Sequence, residues 1–301
     1  MEVNKIYNES CIDTLARMPD NFLDCVITSP PYYQLRDYGY DGQWGLEPTM
    51  EGYLEHLWMM MSEVYRVLKP QGTVWVNLGD SYSNKHNGSI KQKCLLLVPH
   101  RFAIGCIDIG FVMRNDIVWA KPNGLPESVT DRFTKKHEYF FFMVKSSEYY
   151  FDLDAIRDKH KQASIDRQNR GTSETNKWIN GASGQSPHSL SQPRKNVKKG
   201  GTPPLILRGK NPGDVSDFWD ISRKASPVNH YAPYNDELIK KPILAGCPEG
   251  GIIYDPFMGT GTTAEAAIRS GRKFIGSEMS GEYCDITNKR LEPFLTQQNL
   301  F

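Results

Sequence analysis

The chain of 301 residues has six cysteines and no Cys-x-x-Cys pair among them. Cys11, Cys25, Cys94, Cys106, Cys247 and Cys284 are scattered, most of them within apolar runs. Neither a zinc site nor a disulfide framework is expected, and the thiols read as reduced, buried small hydrophobes. Long hydrophobic runs are absent as well, which sets a membrane span aside. Met1-Glu2-Val3-Asn4-Lys5 lacks a secretory pattern, so a cytoplasmic location is expected. There is no internal repeat. What remains, at 39% hydrophobic and 24% charged residues, is the composition of an ordinary globular chain. Its length suits one large α/β domain with an insert, or two modest domains.

Net charge is small, +1, but unevenly placed. Residues 157–210 hold twelve Lys or Arg against Asp158, Asp166 and Glu174, so a net +9 sits on an otherwise acidic chain. A local basic stretch suits a polyanion-binding surface; a solvated loop is the alternative.

Residues 23–28 are a short apolar run stopped by Pro30-Pro31, as in a buried strand that ends in a loop. Residues 53–68 carry apolar side chains at helical spacing and end at Lys69-Pro70-Gln71-Gly72. Strands are expected at 73–78, 116–120 and 139–144, with a helix at 95–109 and a polar loop at 80–93. After the basic stretch the pattern resumes: helix 236–244, strand 251–254, helix 264–270, strand 273–277 and helix 281–295. Such alternation predicts an α/β fold with a mostly parallel sheet. The organisation expected is a first half at 1–151, a basic insert at 152–228 and a second half at 229–301.

The strand ending at Tyr254 runs into Asp255-Pro256-Phe257-Met258-Gly259-Thr260-Gly261-Thr262-Thr263 and then an alanine-rich helix. Close glycines let the backbone approach a ligand, and a helix N-terminus favours an anionic group. Glu278, at the end of the next strand, can accept hydrogen bonds from two ribose hydroxyls. The unit could serve NAD or S-adenosylmethionine. The missing third glycine (Ala264 stands there) and the preceding Pro-Phe lean away from NAD.

Thr28-Ser29-Pro30-Pro31-Tyr32 occupies the C-terminal edge of a strand, where open α/β sheets bind ligands. An exocyclic amino nitrogen is a poor nucleophile because its lone pair is delocalised into the ring. Acceptors on its two N–H bonds would draw it toward tetrahedral geometry. Ser29 can supply a side-chain acceptor and Pro30 a main-chain one; Pro31 stiffens the turn. Tyr32 offers a face for a flipped base.

With these motifs in view, the chain resembles the amino-methylating DNA methyltransferases of the permuted type, catalytic motif first and cofactor motif last. The resemblance extends through residues 67–80 (VLKPQGTVWVNLGD), 119–131 (WAKPNGLPESVTD), His137-Glu138-Tyr139, 211–221 (NPGDVSDFWDI) and 230–244 (HYAPYNDELIKKPIL). It implies a Rossmann-like S-adenosylmethionine-dependent fold with an inserted target-recognition region. It also implies Ser29, Pro30, Pro31 and Tyr32 as the base-amino site. Asp255, Phe257, Gly259, Thr260, Gly261 and Thr262 become the loop around the methionine part of the cofactor, and Glu278 the ribose ligand. His230 and Pro233 fall in the segment that closes over that moiety. Ser10, preceded by Glu9, departs from the acid usual before the position of Cys11.

The expected partner is duplex DNA, with a cognate restriction endonuclease as functional counterpart, and the chain is expected to be a monomer or a homodimer. No metal is expected. Arg157, Lys159, Lys161, Arg167, Arg170, Lys195, Lys198 and Lys199 are candidates for phosphate contacts, and Arg194 is chemically able to read guanine. Serine at the head of the motif is similar to cytosine-N4 enzymes, whereas adenine-N6 enzymes more often carry Asp or Asn; cytosine N4 is favoured, adenine N6 the alternative. Two other classes are methylation of protein glutamine or RNA by the same amide chemistry, and a silent DNA-binding module. Intact Ser29 and Glu278 argue against the silent module.

Overall fold

In a computed structural model of the chain, residues 1–86, 90–124, 126–158, 160, 162, 216–222 and 236–298 are described. The elements, in order, are β1 (Lys5–Tyr7), α1 (Cys11–Ala16), β2 (Leu23–Thr28), α2 (Met50–Val67), β3 (Leu68–Leu78) and α3 (Val98–Ile109). They continue with β4 (Val112–Ala120), β5 (His137–Val144), β6 (Phe218–Asp220), α4 (Asp236–Gly246), β7 (Ile252–Asp255), α5 (Thr262–Arg269), β8 (Lys273–Ser277) and α6 (Gly281–Gln298). The strands form one sheet in the order β1-β8-β7-β2-β3-β5-β4-β6. Pairing is parallel throughout except where β5 lies antiparallel to both β3 and β4. The α/β fold with a mostly parallel sheet follows the sequence expectation.

Alternation along the central strands builds two cores, one on each face of the sheet. Val74, Val76 and Leu78 of β3, with Phe141 and Met143 of β5, join the cluster that holds Leu57, Met61, Val64 and Phe102. Their neighbours Trp75, Phe140 and Phe142 join the opposite cluster with Ile239, Ile243, Ala267 and Phe274. Trp75 and Phe142 are register partners and stack at 4.0 Å between ring centroids. Helix α2 starts at Thr49, whose hydroxyl accepts the Gly52 N–H at 3.1 Å. It buries Tyr53, Leu54, Leu57, Met60, Met61 and Val64 at spacings of three and four, each worth about 1.5–3 kcal/mol of apolar burial. Pro70 has no N–H to extend the helix, and the chain turns at Leu68 directly into β3.

Three short elements were invisible to periodicity. β1 pairs with β8, and α1 is capped by the Ser10 hydroxyl accepting the Ile12 N–H. The third, β6, pairs with β4, so residues 218–220, assigned to the insert on composition, lie at the edge of the sheet, with Trp219 buried against Phe140. Three-residue strands are too short to show a period, so only partners mark them. The chain divides into two compact units, Met1–Asp152 with Asp214–Phe301, and Leu153–Gly213. In the second, the described residues include a single turn of 3-10 helix, Asp154–Ile156. Cys94 is exposed, contrary to the expectation for all six thiols; the other five are buried. Among the described residues no helix is long and apolar enough to cross a membrane, and no cluster of ligand side chains could hold a metal ion.

Candidate active site

The sheet order places β7 beside β2 and β2 beside β3, so the loops that follow these strands meet at one edge. Thr28, the last residue of β2, is fully buried, and its hydroxyl donates to Asp255 Oδ1 at 2.8 Å. The same oxygen accepts the Phe257 N–H at 3.0 Å, and Asp255 Oδ2 accepts the Thr263 hydroxyl at 2.6 Å. Asp255 therefore lies beneath the glycine loop, holding it to the start of α5 and to the residue before Ser29. Its carboxylate is placed to organise the loop.

Ser29 is half-buried and its hydroxyl donates to Asn77 Oδ1 of β3 at 3.4 Å. Asn77 Nδ2 donates to the Tyr139 carbonyl at 3.0 Å, which fixes the amide with its oxygen toward Ser29 and Tyr32. The Tyr32 hydroxyl faces two acceptors, Asn77 Oδ1 at 2.9 Å and Glu138 Oε2 at 2.8 Å. One phenolic proton can serve only one of them well, and the carboxylate is the stronger acceptor. The Ser29 hydroxyl thus sits between Asn77 Oδ1 and the Tyr32 hydroxyl, with which it also hydrogen-bonds. Glu138 also forms an ion pair with Lys121. Burial, then the nearby Glu138 charge, holds the Tyr32 hydroxyl well above its ordinary pKa, so it stays a neutral donor.

The Pro-Pro turn is buttressed from α2, where the Tyr53 hydroxyl donates to the Pro31 carbonyl at 2.7 Å. Pro30 itself is buried. Gly79, just past β3, is required by contact: a Cβ there would lie 2.4 Å from Tyr32 Cε2.

Gly259 and Gly261 both have positive φ, at +54° and +84°. A side chain at Gly261 would meet Thr287 Cγ2 at 2.3 Å, and the Thr287 hydroxyl donates to the Gly259 carbonyl at 3.0 Å, so α6 clamps the loop from behind. Arg290 of α6 donates to the Thr260 carbonyl at 3.0 Å and to the Thr262 hydroxyl at 3.5 Å. Glu278 is 7% exposed, with Oε2 accepting the Gly259 N–H and Oε1 the Ser280 N–H, both at 2.8 Å. Burial raises its pKa above the usual carboxylate value, and the two amides oppose that shift. Each oxygen keeps acceptor capacity beyond its single amide.

The sequence reading gave no role to Asn77, Glu138 or Lys121, although each lies in a stretch that carries the family resemblance, nor to the loop of residues 34–47. Trp44 meets Phe257 edge-on at 5.4 Å and stacks on His56, whose Nδ1 is 2.9 Å from Glu47 Oε1. Tyr40 is close enough to Glu278 for that charge to help raise its hydroxyl pKa, after burial. The aromatic run Tyr38, Tyr40, Trp44 between glycines is the signal that could have flagged this wall. Glu9, beside the departing Ser10, accepts the Thr14 hydroxyl at 2.6 Å and pairs with Arg17.

Of the basic candidates, Arg157 is described: its Nε lies 2.6 Å from Asp154 Oδ1. Lys159, Lys161, Arg167, Arg170, Arg194, Lys195, Lys198 and Lys199 lie outside the described residues, as do His230 and Pro233 of the cofactor candidates.

A mostly parallel sheet with a Ser-Pro-Pro-Tyr turn after one strand and a glycine loop after its neighbour defines a Rossmann-like methyltransferase of the permuted class. The chain belongs to the DNA methylase family N6_N4_Mtase, matched over residues 23–289. It is similar to the Type II methyltransferase M.Cfr9I of Citrobacter freundii, 32% identical over 95% of this chain and 87% of the relative. It is also similar to the Type II methyltransferase M.SmaI of Serratia marcescens, 31% identical over 91% of this chain and 86% of the relative. Among solved structures, the cytosine-N4-specific PvuII DNA methyltransferase shares the fold with a TM-score of 0.64 at 20% identity, covering 95% of this chain and 85% of its own. A putative DNA modification methylase of Thermus thermophilus, solved as a complex with S-adenosylmethionine, shares it with a TM-score of 0.59 at 21% identity, covering 96% and 93%.

Proposed function

We propose that the protein transfers a methyl group from S-adenosylmethionine to the exocyclic N4 of a cytosine flipped out of duplex DNA. Its setting would be a restriction-modification system, with an endonuclease as functional counterpart, or protection of phage or host DNA. The observation that carries the reading is the Ser29 hydroxyl, held beside Asn77 Oδ1 and the Tyr32 hydroxyl, one residue from the tie to the glycine loop. A neutral hydroxyl is a weaker acceptor than a carboxylate and suits the more acidic amino group of cytosine. The names of M.Cfr9I and M.SmaI as Type II methyltransferases support the restriction-modification setting.

The residues present fit the cofactor. Glu278 can accept both ribose hydroxyls through acceptor capacity its two amides leave unused, and the left-handed backbone at Gly259 and Gly261 lets the loop approach the methionine part. Phe257, Thr260 and Thr262 complete that wall. When bound, S-adenosylmethionine supplies an electrophilic methyl group on its sulfonium. Ser29 Oγ and the Pro30 carbonyl accept the two amino N–H bonds and localise the nitrogen lone pair. Tyr32, its hydroxyl fixed by Glu138 at 2.8 Å, presents its ring to the base. No side chain serves as a covalent nucleophile; positioning and electrostatics supply the acceleration.

Arg157 and the basic residues up to Lys199 would meet phosphates, giving salt-sensitive affinity without sequence information. The deciding experiment is mass spectrometry of nucleosides from unmethylated DNA incubated with the protein and cofactor. N4-methylcytosine is expected. N6-methyladenine would move the substrate to adenine, and neither product would overturn the reading.

A further inference from the structure

The segment between β4 and β5 leaves and re-enters the sheet at the proposed base site. Lys121, just past β4, and Glu138, at the start of β5, form the ion pair whose carboxylate accepts the Tyr32 hydroxyl. Between them, Phe133 is 97% exposed, by far the most exposed large apolar side chain among the described residues. Exposure of a single ring is ordinary by itself; its place on a braced segment rooted at the proposed base site is what gives it meaning.

The segment is braced on both sides of that ring. Arg132 lies over the Tyr82 ring at 3.9 Å and pairs with Glu127. Asp131 pairs with Lys93 at 2.5 Å, and Lys135 donates to the Asp80 carbonyl. Both acids of the segment are thereby engaged by cations. Residues 82–86 and 90–93, which meet the segment through Tyr82 and Lys93, contain Lys85, Lys91 and Lys93 and no acid. Lys85, Lys91 and Lys136 are exposed or partly so. An exposed aromatic ring on a braced loop, flanked by accessible cations and rooted beside the base-stacking tyrosine, has the chemistry of a duplex-entering wedge. The cations suit phosphates, and the ring suits the stack opened when a base leaves it.

We propose that Phe133 enters duplex DNA beside the extruded target base, filling or prising open the stack, while Lys85, Lys91 and Lys136 contact the flanking phosphates. The inference deepens the proposed function and rests on its base-flipping step. Lys85, Lys91 and Lys136 are separate in sequence from the basic stretch at 157–199.

The test uses the full chain with cofactor, after sequencing of methylated plasmid has located the target site. Phe133→Ala and Phe133→Trp are compared with the unsubstituted protein on a duplex carrying the paired target base and on one carrying it in a mismatch. A mispaired base is already partly unstacked and needs less help to leave the helix. Phe133→Ala is expected to lose about tenfold or more in kcat/KM on the paired duplex and less than about threefold on the mismatch, with Phe133→Trp near the unsubstituted rate on both. Cofactor affinity and melting temperature should stay unchanged, because the side chain is exposed. Equal rates for Phe133→Ala on the paired duplex would overturn the wedge, and so would an equal loss on both duplexes. If the unsubstituted protein methylates no DNA at all, the functional reading itself fails, which a wedge failure alone would not produce.

Discussion

Thr28→Val tests the idea that one buried carboxylate aligns the two halves of the reaction. Valine matches threonine in shape and removes a single hydrogen bond, the one from Thr28 Oγ1 to Asp255 Oδ1 at 2.8 Å. Both residues are fully buried, so water does not replace the lost donor easily. A hydrogen bond to a charged acceptor contributes about 1.5–3 kcal/mol, and Asp255 keeps its contacts to Phe257 N and Thr263 Oγ1. A loss of about 2 kcal/mol in a unit of this size lowers Tm by about 4–8 °C, which leaves the protein folded at the assay temperature. The kinetic effect should be larger than the stability effect suggests. Ser29 follows Thr28 directly and Phe257 is bonded to the same carboxylate oxygen, so releasing one tie lets the amino site drift relative to the glycine loop. A misplacement of about 1 Å can cost about a hundredfold in rate. The expected result is a fall in kcat with cofactor Kd and DNA KM changed by less than about threefold, and recovery of most of the loss by Thr28→Ser. Steady-state methyl transfer with isothermal titration of the cofactor measures both. Unchanged kcat in the valine protein, or a loss confined to cofactor affinity, would refute the alignment argument.

Three other perturbations follow from the site. Ser29→Ala removes one of two acceptors for the amino group and should lower kcat by about a hundredfold or more while leaving cofactor titration unchanged; a normal kcat would take Ser29 out of the chemistry. In the proposed function Glu278 accepts hydroxyls as the ionised form, and burial raises its pKa above the ordinary carboxylate value, so cofactor affinity should fall as pH drops through that raised value. Glu278→Gln should weaken binding by about tenfold or more and flatten this dependence in titrations across pH; the same pH profile in both proteins would assign it to another group. Gly261→Ala combines a left-handed φ of +84° with a Cβ placed 2.3 Å from Thr287 Cγ2. It should reduce stability by about 2 kcal/mol or more in denaturant unfolding, and Thr287→Ser, which deletes that methyl and keeps the hydroxyl, should restore part of it.

The parts of this protein legible in the sequence are those whose physics is local. β2 and β8 were readable because each is a short apolar run ended by loop residues, and α2 because its buried side chains recur every three or four positions. Ser29 and Glu278 stood out as candidates because strand ends carry ligand sites in such sheets. Asn77, Glu138 and Lys121 carried the resemblance but no readable role, since each takes its part through a neighbour 17 to 106 residues away in the chain. Glu138 looks like an ordinary residue of an amphipathic strand until β5 runs antiparallel beside β3 and brings it to the Tyr32 hydroxyl.

Asp255 shows the converse, where a motif was legible but the contacts of its acid were not. In a glycine-loop motif an acid invites assignment to the ligand, yet the hydrogen bonds described for its carboxylate run to Thr28, Phe257 and Thr263. The permuted order explains why such a tie is needed. The chain makes the amino site and the cofactor loop 227 residues apart, with the basic insert between them, so nothing in the backbone holds them in register. Parallel pairing of β2 with β7 fixes the strands, but loops beyond strand ends drift without a side-chain anchor. A carboxylate shared between both loops supplies that anchor from a fully buried position. Where the two motifs are this far apart in sequence, their alignment rests on a side-chain tie of this kind, and Thr28→Val probes that dependence directly.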